Sequence, residues 1–298
     1  MSLDPSARYG AGQFPCVNEL DHQALEALQA EAARSAGVAT GFSDPLRSGG
    51  HGPALQVIPA GQFLMGSSPR EFGHQSAEAP QRYVTLTRAY ALGRYAVTAE
   101  EFARFQQASG WRPRRDLIWA RGRYPVINIR PADARAYLQW LSQETGQRYR
   151  LPTEAQWEHA ARAGSVSPFA FGDSVSCREV HFNALFPYQE QRDKRRWYLP
   201  RCIPMPWAVE VGSLPANRWG LHEMHGNVQE MTATPWQENH GRMDAWGEVP
   251  GDGDNPRIAV RGGSWFDPAV AARSAARRMR LLDELDTNLG FRVLRELD

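Results

Sequence analysis

The chain has 298 residues, with 34 Lys and Arg against 33 Asp and Glu, for a net charge of +1. So even a balance leaves no broad field to attract nucleic acid or a membrane surface, and no apolar run approaches the ~20 residues that span a bilayer. A hydrophobic content of 42% supplies a core for one large or two ordinary domains, and the 10 Trp suit either the plugs of an irregular core or the walls of a groove.

Residues 1–50 read as an arm. Its first 20 residues are polar and turn-rich, and the first 25 lack the apolar stretch of a signal peptide. That leaves a cytoplasmic protein or a processed form of an exported one. His22 to Gly37 is rich in Ala, Leu, Glu and Gln, with Leu25, Leu28 and Ala32 on one face, and predicts a helix stopped by its closing glycine. Residues 51–298 show no linker and read as one domain.

Alternating apolar positions predict strands over 55–66 and 82–97, with a polar loop at 67–80 between them. Thr98 caps a helix through Ser109 with Phe102 and Phe105 inward. Pro131 opens the next helix, which ends at Gly146 and carries Ala134, Tyr137, Leu138 and Leu141 as its stripe. At Arg150–Gly164, RLPTEAQWEHAARAG reads as a strand end and a Thr153-capped helix with Trp157, Ala160 and Ala161 at helical spacing. From 165 to 219 the chain is rich in Pro, Gly and aromatics, as loops tied down by packing or ions would be.

These segments fall into an ordered set of motifs. They are VIPAGQFLMGS at Val57–Ser67, LGRYAVTAEEFARF at Leu92–Phe105, and the stretch from Tyr124 to Glu158 that ends in LPTEAQWE. WGLHEMHGNVQEM at Trp219–Met231, RGGSW at Arg261–Trp265 and NLGFRV at Asn288–Val293 follow. The set resembles the formylglycine-generating-enzyme/sulfatase-modifying-factor superfamily over nearly the whole chain. The resemblance implies an α+β, C-type-lectin-like fold, loop-rich and low in regular structure.

The same resemblance implies a pair of catalytic thiols shortly after GGS, where soft sulfur suits Cu(I). Here Phe266, Asp267, Pro268 and Ala269 occupy that region, and no cysteine follows Cys202. Thiol-based formylglycine generation and catalytic copper are therefore not expected. Cys16, Cys177 and Cys202 lie elsewhere. A Cys177–Cys202 disulfide would close the long loop, add about 3–4 kcal/mol by loop entropy, and imply an oxidising compartment such as a periplasm. Two free thiols in a cytosolic protein are the alternative.

Two sites of structural calcium are implied by the resemblance, at Asn183 and Ala184 and at Asn227, Val228 and Glu230, in the GNVWEW position of the family. Hard cations favour such carbonyl, amide and carboxylate oxygens. His222 and His225 are three apart, so HEMH lacks the one-turn spacing of a zinc-protease helix. Arg192–Arg196 reads as a solvated basic loop. His159 reads as a packing residue, and His181 and His240 are the histidines nearest the expected cleft. The short arm lacks the helical bundle that helps supply iron ligands in sulfoxide synthases built on this domain.

Two functions stay open. One is a non-catalytic binding or regulatory module with an aromatic groove at Trp119, Trp207, Trp236, Trp246 and Trp265 that holds a protein partner. Regulatory members of the superfamily such as TagR, which acts in the periplasm upstream of type VI secretion, have this lone-domain organisation. The other is a metal-dependent oxidase, as in a branch tied to pyoverdine maturation that relies on a carboxylate, for which Glu230, Glu238 and Asp267 are the candidates. Arg273 and Arg277 are expected to brace the core through charge-assisted bonds. A monomer is expected.

Overall fold

Four helices form where caps and apolar spacing coincide. The computed structural model describes residues 14–114, 116–188, 205–249 and 255–297; Cys202 and the Arg192–Arg196 run lie outside them. Helix α1 runs His22–Ser35, α2 Ala99–Ser109, α3 Pro131–Thr145 and α4 Glu154–Arg162. Thr98 and Thr153 each accept the N3 backbone N–H, while Glu101 and Gln156 reach back to complete capping boxes. Gly110 and Gly146 close α2 and α3 in the left-handed conformation. In α4 the stop comes one residue earlier than expected, at Ala163 with φ 44, before Gly164 at φ 86. Gly164 is needed for room, since a Cβ there would stand 2.6 Å from Leu25 Cδ1.

The expected stripes of α2 and α3 are buried as read. Helix α1 differs. Its buried face is Leu25, Gln29 and Ala33, with Leu28 and Ala32 only at its margin. Gln29 faces inward because its amide donates to the carbonyls of Val57 (2.8 Å) and Trp219 (3.1 Å). A buried amide that finds such acceptors offsets its desolvation.

Each of the two long predicted strands is broken in two. Residues 55–66 give β2 (Leu55–Ile58) and β3 (Gly61–Met65), and residues 82–97 give β4 (Arg82–Leu86) and β5 (Tyr90–Gly93). Pro59, which has no N–H for a ladder, stands at the first break. The halves then join different sheets. With β1 (Gly41–Phe42), β6 (Tyr149–Arg150) and β11 (Leu294–Glu296), strands β2 and β5 build an antiparallel five-stranded sheet in the order β1-β2-β5-β11-β6. Strands β3 and β4 form a separate ribbon.

A four-stranded sheet of order β10-β7-β8-β9 comes from β7 (Gln229–Pro235), β8 (Arg257–Arg261), β9 (Arg277–Leu281) and β10 (Leu289–Phe291). Its β10–β7 pair is parallel. One core packs α2 and α3 on Val57, Val260 and Phe291. A second gathers Phe63, Met65, Trp157 and Trp219 around α4. Among the described residues no helix is long and apolar enough to cross a membrane.

Candidate functional site

Helix α4 is short and almost wholly buried, charges included. Glu154, Glu158 and Arg162 recur every four residues and so share one face. That face meets Arg261 at the end of β8 and Arg277 at the start of β9. Arg277 forks onto Glu154, its Nε 2.8 Å from Oε1. Arg261 lies 3.5 Å from Glu154 and bonds Glu158, and Glu158 accepts from Arg162 Nε at 2.9 Å. The result is an alternating chain of five buried ions. Burial alone would raise both carboxyl pKa values, but the adjacent guanidinium groups outweigh it and hold them below the usual range.

The loop after β8 carries RGGSW. Gly262 (φ 91) and Gly263 (φ 64) turn the backbone back, and a Cβ on Gly263 would meet the Ala271 carbonyl at 2.8 Å. The turn drops Ser264 and Asp267 into the protein. Ser264 Oγ donates to Asp267 Oδ2 (2.6 Å), as does Gln229 Nε2 (2.7 Å). Arg280 Nε donates to Gln229 Oε1 (3.1 Å), Arg280 Nη2 to Asn288 Oδ1 (3.2 Å), and Asn288 Nδ2 to Ser264 Oγ (3.0 Å). These five side chains close a ring of hydrogen bonds, all buried, with Ser264 fully so. Arg278 caps it from outside on Asp267 Oδ1 (2.8 Å).

Such a ring is a poor reaction centre. The ring's one hydroxyl is fully buried and already donates to the Asp267 carboxylate, and among the described residues no imidazole bonds to it. The adjoining cavity, lined by Gly262, Gly263, Arg273 and Arg278, holds about 130 Å³, room for a few waters. Gln229 stands where the family motif expects Trp, and that departure was the sequence signal for a polar cluster. Asn288 and Arg280 had none.

The remaining candidates are dispersed. Glu230 is corrected from ligand and catalyst to structural partner: Arg292 Nη2 (2.7 Å) and Trp157 Nε1 (2.7 Å) hold its buried carboxylate. Asn227 turns its Oδ1 to Val209 N (2.9 Å) and its carbonyl to Trp265 N (2.9 Å), while Val228 packs in the core. A guanidinium beside the one carboxylate opposes a second cation, so these three residues do not fit calcium. Asn183, beside Ala184, donates to the Phe266 carbonyl (3.3 Å) and accepts from Leu185 N (3.2 Å). Glu238 is exposed and pairs with Arg257, and Asp267 belongs to the ring.

The five groove tryptophans do not share one groove. Trp119 packs on Phe102 and Trp111. The ring of Trp236 is buried under Arg277, whose Cζ lies 4.4 Å from its centroid. Trp246 alone of the five lines a cleft of about 640 Å³ between β4, β6 and α4. Trp265 packs edge-on against Phe266. Trp207 is 60% exposed, and its carbonyl lies 2.9 Å from His181 Nε2.

Cys177 is disulfide-bonded and Cys16 is free; Cys202, its expected partner, is outside the described residues. Cys16 sits against β3 at Gln62. With no thiol at the GGS loop, the residues there do not fit a thiolate-bound copper. His159 packs among Phe63, Tyr90 and Trp219, and burial brings its pKa down to about 3. His225 is held by the Ala272 carbonyl (2.7 Å) and Ala170 N (3.1 Å), and burial lowers it to about 4. His240 is buried with neither ring nitrogen partnered among the described residues, and burial and Arg277 lower it to about 4. Among the described residues no three His, Cys, Asp or Glu side chains converge as metal ligands would. Arg273 does brace the core, on Glu78 (2.7 Å) and Glu71 (2.6 Å).

Residues 43–297 match the family described as the sulfatase-modifying factor enzyme 1-like domain. The chain is 27% identical to a formylglycine-generating enzyme of Mycobacterium tuberculosis, over 80% of this chain and 97% of that one. It is 26% identical to the inactive C-alpha-formylglycine-generating enzyme 2 of Mus musculus, over 80% and 85%. Among solved structures PvdO from Pseudomonas aeruginosa is 30% identical with a TM-score of 0.73, over 87% of this chain and 98% of that one.

Proposed function

Because the chain belongs to the sulfatase-modifying-factor family, over residues 43–297, we propose that it is a member without thiol chemistry that works as a binding and regulatory module for a protein partner. The observation that carries this reading is the closed ring of Ser264, Asp267, Gln229, Arg280 and Asn288 in the place of the thiol pair. A site whose polar groups are all spent on one another stabilises a loop and offers a substrate little. The family already includes a relative called inactive.

Above the ring, the loops leave large apolar side chains in solvent: Leu185, Phe186 and Phe266 at 65%, 57% and 62% exposure, with Trp207 close by through His181. An exposed apolar surface of this kind suits recognition of another protein. The role we assign is that of a regulator in an oxidising compartment, of the kind that acts upstream of type VI secretion in the periplasm. The disulfide at Cys177 supports the compartment. The second reading, an oxidase of a peptide or small molecule, is favoured by one observation, the buried carboxylate of Asp267 at the centre of the site.

One experiment separates the two. Protein purified without chelators is analysed for calcium, iron and copper, then supplied with Cu(I) or Fe(II), oxygen and cysteine-containing peptides. The expected result is no stoichiometric iron or copper, no oxygen uptake and no aldehyde product. Turnover that disappears in Asp267→Asn would establish the oxidase and end the binding-module reading.

A further inference from the structure

A second, wider cleft lies elsewhere. It holds about 640 Å³ and opens where β4 and the turn after it meet β6, the first turn of α4 and the end of β11. It shares no lining residue with the small cavity at the GGS loop. Its size is that of a small-molecule site.

Its walls carry three guanidinium groups, from Arg88, Arg148 and Arg150, and two carboxylates, from Glu248 and Glu296. Arg148 and Arg150 are two apart and straddle Glu296, at 3.0 and 2.8 Å. Arg150 is fixed further, because its Nη1 donates to the Leu151 carbonyl (3.0 Å) and to Gln156 Oε1 (2.9 Å). Three of its five N–H groups are thus committed, and among the described residues both on Nη2 are left. Arg88 has no hydrogen bond or ion pair among the described residues, and the ring of Trp246, 54% exposed, has no ring contact among them. An oriented guanidinium, a second without a partner and an open indole face therefore border one concave space.

We propose that this cleft binds a small organic monoanion, a planar ring bearing one carboxylate. Arg88 and Nη2 of Arg150 take the carboxylate, whose two oxygens match the guanidinium fork, and the ring lies on Trp246. Among the described residues the formal charge of the lining is one positive, and Glu248 stands against a second negative charge, so a monoanion is favoured over a phosphate dianion. The inference does not rest on the binding-module reading of the GGS face.

The test is calorimetric titration of the full chain with benzoate, indole-3-acetate and 4-hydroxyphenylacetate, beside acetate and indole as the two halves of the ligand. At least one ring-bearing acid is expected to bind with a Kd below about 1 mM, and each half at least about tenfold more weakly. Arg88→Ala is expected to weaken it about tenfold, with partial recovery in Arg88→Lys. Trp246→Ala should leave an affinity no better than that of acetate. Both positions are exposed, so unchanged melting temperatures certify the fold. No binding by any of the acids, or affinity that survives Arg88→Ala and Trp246→Ala, overturns the proposal.

Discussion

His159, His225 and His240 are neutral in the folded protein because ionising them would place charge in a dry interior, and for His240 beside Arg277 as well. The unfolded chain binds those protons near pH 6.5, and the folded one only near 3 for His159 and 4 for the other two. Between those values the unfolded state holds more protons, so stability is complete above about pH 6.5 and falls as pH drops towards 4. Each of the pair at 4 accounts for about 3 kcal/mol of that loss. Urea midpoints measured from pH 7.5 to 4.5 should show the decline, and His159→Phe, which keeps a ring among Phe63, Tyr90 and Trp219, should reduce it by about a third, leaving the shares of His225 and His240. A flat profile in the parent protein would contradict the buried neutral state. His159 was legible as packing because it sits on the signature helix at a position where the family resembled often has Tyr. The isolation of His240 was not, since it depends on what residues 66, 79 and 277 do around it.

The N-caps of α2 and α4 were written locally and read correctly. Thr98 and Thr153, each three residues before Glu101 or Gln156, spell a capping box in four letters. Thr153→Ala removes the acceptor for Gln156 N (3.2 Å) and should lower stability by about 1 kcal/mol in a denaturant titration, with unchanged m-value. A much larger loss would mean that Thr153 supports more than its own helix. The charges of α4 were harder to read. Glu154, Glu158 and Arg162 at four-residue spacing look like a solvated stripe, and only the long-range approach of Arg261 and Arg277 makes burial tolerable. The GGS ring is the same case, as its members span Gln229 to Asn288 and no window of sequence holds them together. Strand breaks at 59–60 and 87–89 fall between, because Pro59 was a visible signal and the bend at Arg88 was not.

At the scale of the molecule the fold family was legible, because its motifs recur in order, while the place of the first 50 residues was not. The family match begins at residue 43, yet α1 seals the second core with Leu25 and pins β2 through Gln29. A chain beginning at residue 43 should therefore lose on the order of 5 kcal/mol, from apolar burial and two buried hydrogen bonds. Differential scanning calorimetry of the two lengths checks this, and equal melting temperatures would show the arm to be an accessory. The aromatic surface was misjudged for a related reason. Composition counts tryptophans but cannot say that Trp236 is roofed by Arg277 while Trp246 opens on a different cleft.

The alternating chain from Arg277 through Glu154, Arg261 and Glu158 to Arg162 has a historical consequence. Any single substitution within it strands a buried charge, at a cost of about 3–5 kcal/mol, against a total margin of roughly 5–15 kcal/mol. Descent by single steps is therefore obstructed at these positions, and they change only in concert. No comparable barrier guards Phe266, which is 62% exposed beside the same turn and can change alone. A lineage with this architecture can revise its exposed loops one position at a time while the buried scaffold endures.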